Sequence, residues 1–130
     1  MAAPATPYEL LRSLLLANAT VVALVGTRVY PLRIAQGEPL PAIAYQQVGG
    51  NNDRCSSYGR FRYQISMFSA GYVQAVALSE AVLAALDGFE DGEILIEADG
   101  AARDQFSEGS EVYYRTHDYF IDFPNPQTNN

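Results

Sequence analysis

The sequence predicts an α+β fold, in which a mostly antiparallel sheet carries one main helix and the N-terminal helices on one face. Two short segments near the N-terminus place leucines and valines at helical spacing. An alanine-rich run over Tyr72–Leu86 is long enough for the main helix. Strand-like alternation lies on both sides of this run, most clearly in Arg60–Ser69 and Glu111–Phe123. Strands grouped around one helix, instead of alternating with helices, favour an antiparallel-rich sheet.

The first helix is indicated by its capping residues. Thr6 can accept a hydrogen bond from the first turn, Pro7 suits the first helical position, and Glu9 completes a capping box. We expect this helix to end near Ala17. Its apolar stripe consists of Leu10, Leu11, Leu14 and Leu15.

A second short helix is predicted over Ala19–Val25, with Asn18 as its cap and Gly26 as its end. A brief strand should follow over Arg28–Tyr30. Glycine and prolines then predict a loop over Pro31–Pro41. The side chains that this second helix should bury are Val21, Val22, Leu24 and Val25.

A hairpin is predicted after this loop. Ala42–Val48 has the pattern of a strand, with Ile43 and Tyr45 on one face, and Arg60–Ser69 forms its partner. The polar, glycine-rich segment Gly49–Gly59 between them should be a long loop. The core side chains of the second strand should be Phe61, Tyr63, Ile65 and Met67.

The main helix over Tyr72–Leu86 should end at Gly88, with Phe89 closing the cap by a hydrophobic contact. Its small apolar residues favour close packing on a sheet. The face that we expect to pack there consists of Val73, Val76, Ala77, Glu80, Leu83 and Ala84.

Three strands are predicted after the main helix, over Glu93–Ala98, Arg103–Ser107 and Glu111–Phe123. The chain has 130 residues, a length that suits one domain. Flexible tails are expected at residues 1–5 and 124–130. One face of the last strand should carry Tyr113, Arg115, His117, Tyr119 and Ile121.

The charge balance is acidic, with eight basic residues against fifteen acidic ones and a net charge of −7. Every basic residue is an arginine. Phosphate binding needs clustered positive charge, so a basic nucleic-acid-binding surface is excluded, and the lack of lysine excludes a P-loop. One cysteine cannot form an internal disulfide and favours folding in a cytosolic environment. No signal peptide or transmembrane run is recognisable, so no membrane association is expected.

Candidate catalytic groups are few. His117 is the one histidine and Cys55 the one cysteine, and a catalytic cysteine needs a positioned base. A small enzyme using these two residues is a remote alternative, and no catalytic, cofactor-binding or metal-binding residue is predicted. The acidic segments 90–93 and 97–100 lack the spacing of a calcium-binding loop.

An ordered set of motifs runs through most of the chain. Ala23–Pro31 reads ALVGTRVYP and Leu40–Gln46 reads LPAIAYQ, with Arg62, Gln64 and Ile65 in the following strand. The alanine-rich helix comes next, and the last strand contains YYR and DYFI. Over about residues 8–123 this set resembles the tail-completion (tail terminator) proteins of long-tailed bacteriophages and prophage-derived particles.

The resemblance implies a structural virion protein. Such a protein would form a hexameric ring that caps the tail tube, stops its polymerisation and provides the surface for head–tail joining. The implied partners are further copies of the chain, the tail tube protein, a head-completion or connector protein and, as a further candidate, the tape measure protein. DNA would pass through the lumen without sequence-specific binding, and we expect an acidic lumen wall. The implied location is the tail–neck junction of the virion, after assembly in the host cytoplasm.

The two long loops are the expected contact regions, because exposed loops commonly carry binding residues. They comprise Pro31–Pro41 and Gly49–Gly59. The predicted interface residues are Arg33, Gln36, Glu38, Asn51, Asn52, Asp53, Arg54 and Tyr58.

Other interpretations stay open. A head–tail connector, or stopper, protein of the neck fits the same virion context. An acidic inhibitor that mimics DNA is weaker, since the acids are too scattered for a phosphate-like row. Six of the eight arginines fall in the first half of the chain and the acids concentrate after residue 80. If these regions occupy different surfaces, neighbouring copies can attach head to tail.

Overall fold

The computed structural model describes residues 6–51 and 58–124. The helices are α1 (Pro7–Ala17), α2 (Ala19–Val25) and α3 (Tyr72–Leu86). The strands are β1 (Val29–Pro31), β2 (Ala42–Asn51), β3 (Tyr58–Ser69), β4 (Glu90–Asp91), β5 (Ile94–Ser107) and β6 (Val112–Pro124).

The strands form one six-stranded sheet in the order β1-β2-β3-β6-β5-β4. Neighbouring strands are antiparallel except β1 and β2, which are parallel. The helices cover one face of this sheet, which we call the helix face, and the opposite face is called the outer face. The α+β prediction, with a mostly antiparallel sheet, is confirmed.

The core lies between the helices and the helix face of the sheet. Apolar side chains alternate with polar ones along β3 and β6, so each strand sends every second residue inward. Burying these side chains supplies the main stabilisation, at about 25 cal/mol per Å² of apolar surface. The largest fully buried side chains include Leu11, Leu15, Ile43, Ile65, Met67, Leu78, Leu86, Tyr119 and Ile121.

The capping predictions for α1 and α2 are confirmed. Thr6 Oγ1 accepts a hydrogen bond from the Glu9 amide at 3.4 Å, and Asn18 Oδ1 accepts one from the Val21 amide at 3.0 Å. No single described helix is long and apolar enough to span a membrane, although α1 and α2 together pass that test with an 86° bend between them.

The predicted burial of α2 is partly wrong. Val21 and Val25 are fully buried, whereas Val22 is 37% exposed and Leu24 is only partly buried. The reason is geometric, because a helix of seven residues contacts the core along one line, and residues four apart share that line.

The predicted packing face of α3 is wrong. Val73 is 81% exposed, and Ala77, Glu80 and Ala84 also face solvent. Apolar residues occur on every side of this helix, so the spacing permits more than one stripe, and contact with the sheet selects among them. The buried residues are Ala75, Leu78, Ser79, Ala81, Val82 and Leu86.

The predicted hairpin loop is too long. β2 continues through Gly49 and Gly50 to Asn51, after a register shift that follows Gln47. A Cβ atom at Gly50, whose φ is +130°, would lie 2.4 Å from the Arg60 carbonyl oxygen, so this paired position requires glycine. The glycine content of this segment predicted a loop, whereas in the structure the glycines allow an irregular strand.

The region after α3 also differs from the prediction. β5 is one strand of 14 residues with a register shift between Asp99 and Arg103, in place of two separate strands. The segment Glu90–Asp91, for which no strand was predicted, pairs with the start of β5. β6 is long enough to pair with both halves of β5, which keeps them in one strand. The C-terminal tail was predicted over 124–130, but Pro124 belongs to β6. Residues 1–5 and 125–130 of the predicted tails lie outside the described residues.

Candidate interaction surfaces

The predicted interface residues divide into two groups at opposite ends of β2. Arg33, Gln36 and Glu38 are exposed on the loop before β2, whereas Asn51 ends β2 and Tyr58 begins β3 at the far end. Since β2 has ten residues, the two groups are separated by roughly 30 Å at about 3.3 Å per residue. Outside the described residues lie Asn52, Asp53 and Arg54.

A groove of about 480 Å³ lies on the outer face beside the first group, and we call it the outer groove. The rings of Phe68 and Tyr114, stacked 4.9 Å apart, belong to its lining. The loop between β1 and β2 forms one wall and the turn between β5 and β6 forms the other. The structure therefore brings three predicted interface residues to one groove, namely Arg33, Gln36 and Glu38.

Hydrogen bonds tie the loop wall of the outer groove to the sheet and to α2. Arg28 donates from Nε to the Pro41 carbonyl at 2.9 Å and from a terminal nitrogen to the Leu24 carbonyl at 3.4 Å. The Tyr30 hydroxyl donates to Glu38 Oε2 at 3.1 Å. The motif containing Arg28 and Tyr30 thus has a structural role, since its side chains hold the loop.

An exposed apolar patch lies at the start of α3, and we call it the Val73 patch. Its members are Tyr72, Val73, Phe106 and Tyr113, and Val73 is the most exposed of them. The Tyr113 ring contacts those of Phe106 and Tyr72, with centroids 4.7 and 6.1 Å apart. Sequence reasoning missed this patch because it placed Val73 on the buried side of the helix.

Carboxylates border the Val73 patch. Asp104 accepts hydrogen bonds from the Tyr72 hydroxyl at 2.8 Å and from Arg115 Nε at 2.7 Å. The bond from Tyr72 is the largest cause that lowers the pKa of Asp104, and Arg115 lowers it further against the opposing effect of desolvation. Glu80 lies 4.0 Å from Arg115 and is mostly exposed. Two carboxylates therefore share one guanidinium here.

An ion-pair network covers the outer face nearer the hairpin end. Arg62 lies 2.7 Å from Asp99 and 2.8 Å from Asp118, and Arg103 lies 3.4 Å from Asp118. Because β3 pairs with β6, arginines of the first half of the chain meet acids of the second half. Arginines and acids that lie far apart along the sequence therefore form ion pairs at this position, and their charges offset one another.

The described structure places His117 in the core. Only 3% of this side chain is exposed, and its Nε2 donates to the Gly100 carbonyl at 2.8 Å. This bond holds the irregular part of β5, which indicates a structural role. Cys55 lies outside the described residues. Within residues 6–51 and 58–124, no group of three or more His, Cys, Asp or Glu side chains is arranged to hold a metal ion.

The protein belongs to the α+β class, with helices on one face of a six-stranded sheet, and it can be compared with known proteins on that basis. The sequence model of the family described as tail completion protein gp17 matches residues 9–117. The chain therefore belongs to the tail completion protein gp17 family, and it is a structural, virion-associated protein of a phage tail. The resemblance inferred from the motifs is confirmed.

A solved structure shares the fold. A chain from a structure titled "Virion of native gene transfer agent (GTA) particle" matches with a TM-score of 0.70 and 22% sequence identity. The match covers 88% of this chain and 92% of that chain. At this level of identity, the likeness establishes a common fold. No curated protein matches the chain.

Proposed function

We propose that this protein is a tail terminator subunit. It forms a hexameric ring that caps the finished tail tube, stops tube polymerisation and presents the surface that joins the head connector. Its place is the tail–neck junction, which it reaches after assembly in the host cytoplasm. Its mechanism is binding, with no bond chemistry, which agrees with the buried position of His117.

The observation that carries this proposal is that the two predicted contact regions lie at opposite ends of the sheet. The outer groove lies beside the start of β2, and the hairpin joins the end of β2 to β3. A ring subunit needs separate surfaces for its neighbours in the ring and for the tube and connector. We propose that these surfaces serve further copies of the chain in the ring, the tail tube protein, the connector and the tape measure protein.

The charge of the chain supports a ring through which DNA slides. With a net charge of −7, the surface gives phosphates little to bind. Exposed acids gather where α3 ends and β4 pairs with β5. We propose that the lumen wall of the ring is acidic, and a basic inner wall in the assembled ring would refute this. The acids concerned are Asp87, Glu90, Asp91 and Glu93.

Electron microscopy of particles made without this protein tests the proposal. We expect overlong or unjoined tails beside full heads, because nothing would end the tube or complete its upper surface. Restoring the wild-type gene in the same strain is the control. Normal tails with leaking or empty heads would move the protein to the neck as a connector or stopper. Normal, infectious particles would refute both assignments.

A further inference from the structure

We propose that the outer groove of one copy receives the Val73 patch of a second copy, so that subunits attach head to tail. This inference rests on the proposed ring and names the surfaces that form it. A ring built from one kind of subunit needs two different complementary patches, since a patch that binds itself closes a dimer.

The outer groove has the size and chemistry to hold apolar side chains. Its volume of about 480 Å³ lies within the range in which proteins bind small molecules or side chains. Phe68 and Tyr114 offer aromatic surface, and Leu40 and Val112 add aliphatic surface. Aromatic residues of this kind are enriched at protein–protein contacts.

The Val73 patch is apolar and exposed, as a group that enters an apolar groove must be. Val73 lies in the first turn of α3 with 81% of its surface exposed. Tyr72, its neighbour in the chain, and Phe106 are each nearly half exposed. These rings are already in contact with Tyr113, so little side-chain freedom is lost when they bind.

The two surfaces occupy the same end of the sheet but opposite faces. Phe68 pairs with Tyr114, and the next residues along, Ser69 and Tyr113, also pair. Successive side chains of a strand point to opposite faces, so Tyr114 lies in the outer groove while Tyr113 lies in the Val73 patch. Copies placed side by side at one height can therefore join face to back, as a ring requires.

Charge favours the same pairing. Glu80 and Asp104 border the Val73 patch and share one arginine, Arg115. Arg33 and Glu38 both line the outer groove. Glu38 already accepts a hydrogen bond from the Tyr30 hydroxyl, whereas Arg33 is exposed and forms no ion pair with any of the described residues. Opposite charges around an apolar contact guide association and select its orientation.

Cysteine crosslinking tests the contact directly. In a Cys55→Ser background, Val73→Cys and Gln36→Cys are combined in one chain and treated with a short bismaleimide. The sheet separates these two positions within a copy, so products should join different copies, in steps from dimer to hexamer. The control combines Gln36→Cys with Ala84→Cys, an exposed position three turns away on α3. Dimers alone, equal products in the control, or no products would overturn the proposal.

A charge swap provides a second test. Val73→Lys places an ammonium group against Arg33 of the neighbouring copy, so the average mass in sedimentation equilibrium should fall below that of the wild type. Adding Arg33→Glu to the same chain should restore it. Both positions are exposed, and circular dichroism checks that the variants fold. Equal masses for Val73→Lys and the wild type, or no recovery in the double variant, would contradict the contact.

These tests separate the contact from the proposed function. Normal tails in particles without the protein, together with a crosslinking ladder, would refute the function and leave the contact standing. Overlong tails without a ladder would leave the function standing and refute the contact.

Discussion

At the scale of single residues, β6 carries three neighbouring side chains with buried polar atoms that lack a hydrogen-bond partner among the described residues. They belong to Thr116, His117 and Tyr119. Tyr119 is fully buried, and burial strongly raises the pKa of its phenol, helped by the negative charges of Asp87 and Glu80. A buried hydroxyl without a partner costs about 1–3 kcal/mol. The Tyr119 ring therefore stabilises the core while its hydroxyl opposes folding.

Tyr119→Phe should consequently raise the free energy of unfolding by about 1 kcal/mol, because it removes the unpaired hydroxyl and keeps the ring. Urea denaturation followed by circular dichroism measures the change. Tyr63→Phe is the matched control, since the Tyr63 hydroxyl donates to Gln47 Oε1 at 3.4 Å and its loss should not stabilise the protein. A clear loss of stability in Tyr119→Phe would show that the hydroxyl has a partner in solution.

At the scale of elements, α3 shows which features of a helix a sequence pattern can predict. Its bounds, Tyr72–Leu86, were predicted correctly because Gly71 precedes the helix and Gly88 follows it. Its orientation was predicted wrongly because alanine, leucine and valine occur on all sides. The contacts of the helix with β3, β5 and β6 select the face containing Leu78 and Val82.

Two truncations on α3 test this orientation. Leu78→Ala should lower the free energy of unfolding by about 2–5 kcal/mol, the usual cost of a cavity left by a buried leucine. Val73→Ala should change it by no more than about 0.5 kcal/mol, since Val73 is mostly exposed. Chemical denaturation of both variants provides the comparison. Comparable losses would show that Val73 is buried in the isolated protein.

The strands after α3 illustrate a second limit of prediction from local sequence. The glycine and alanines at residues 100–102 interrupt the alternation of β5, and the sequence pattern predicted two strands there. In the structure β6 pairs on both sides of this irregularity, and His117 holds it through the Gly100 carbonyl. A long partner strand can pair with its neighbour on both sides of a bulge, although the local sequence at the bulge resembles the end of a strand.

At the scale of the whole molecule, the two predicted contact regions lie at opposite ends of the sheet, so changes at one end should leave the other intact. The hairpin between β2 and β3 and the outer groove are separated by most of the length of β2. This separation allows assembly to be blocked at one surface without disturbing the second.

Replacing residues 52–57 by an Asn-Gly turn tests this independence. Asn51 pairs with Arg60, so the change leaves a four-residue loop of Asn-Gly followed by Tyr58 and Gly59, a length that is common in β-hairpins. The variant should therefore fold with nearly wild-type thermal stability, yet complemented particles should lack joined tails. The crosslinking between Val73→Cys and Gln36→Cys should persist in this variant. Alanine substitutions at Asn52, Asp53 and Arg54, which keep the loop length, serve as a control for the side chains. Normal virions from the shortened hairpin would exclude it as a contact region.

The sequence by itself determined the helices, the main strand pair, the caps and the family, because these depend on residues that are close along the chain. Capping residues act within one turn, and alternation acts within one strand. It also indicated Arg33, Gln36 and Glu38 as surface residues, since the glycine and prolines around them predict an exposed loop.

Only the tertiary structure decided which side of α3 is buried, where the hairpin strands end, and which surfaces the loops form. The outer groove requires the loop before β2 and the turn between β5 and β6, which are about seventy residues apart in the chain and meet only because β3 pairs with β6. The same pairing places the arginines of the first half beside the acids of the second. Contacts between distant residues depend on the packing of the whole chain, so no local pattern contains them.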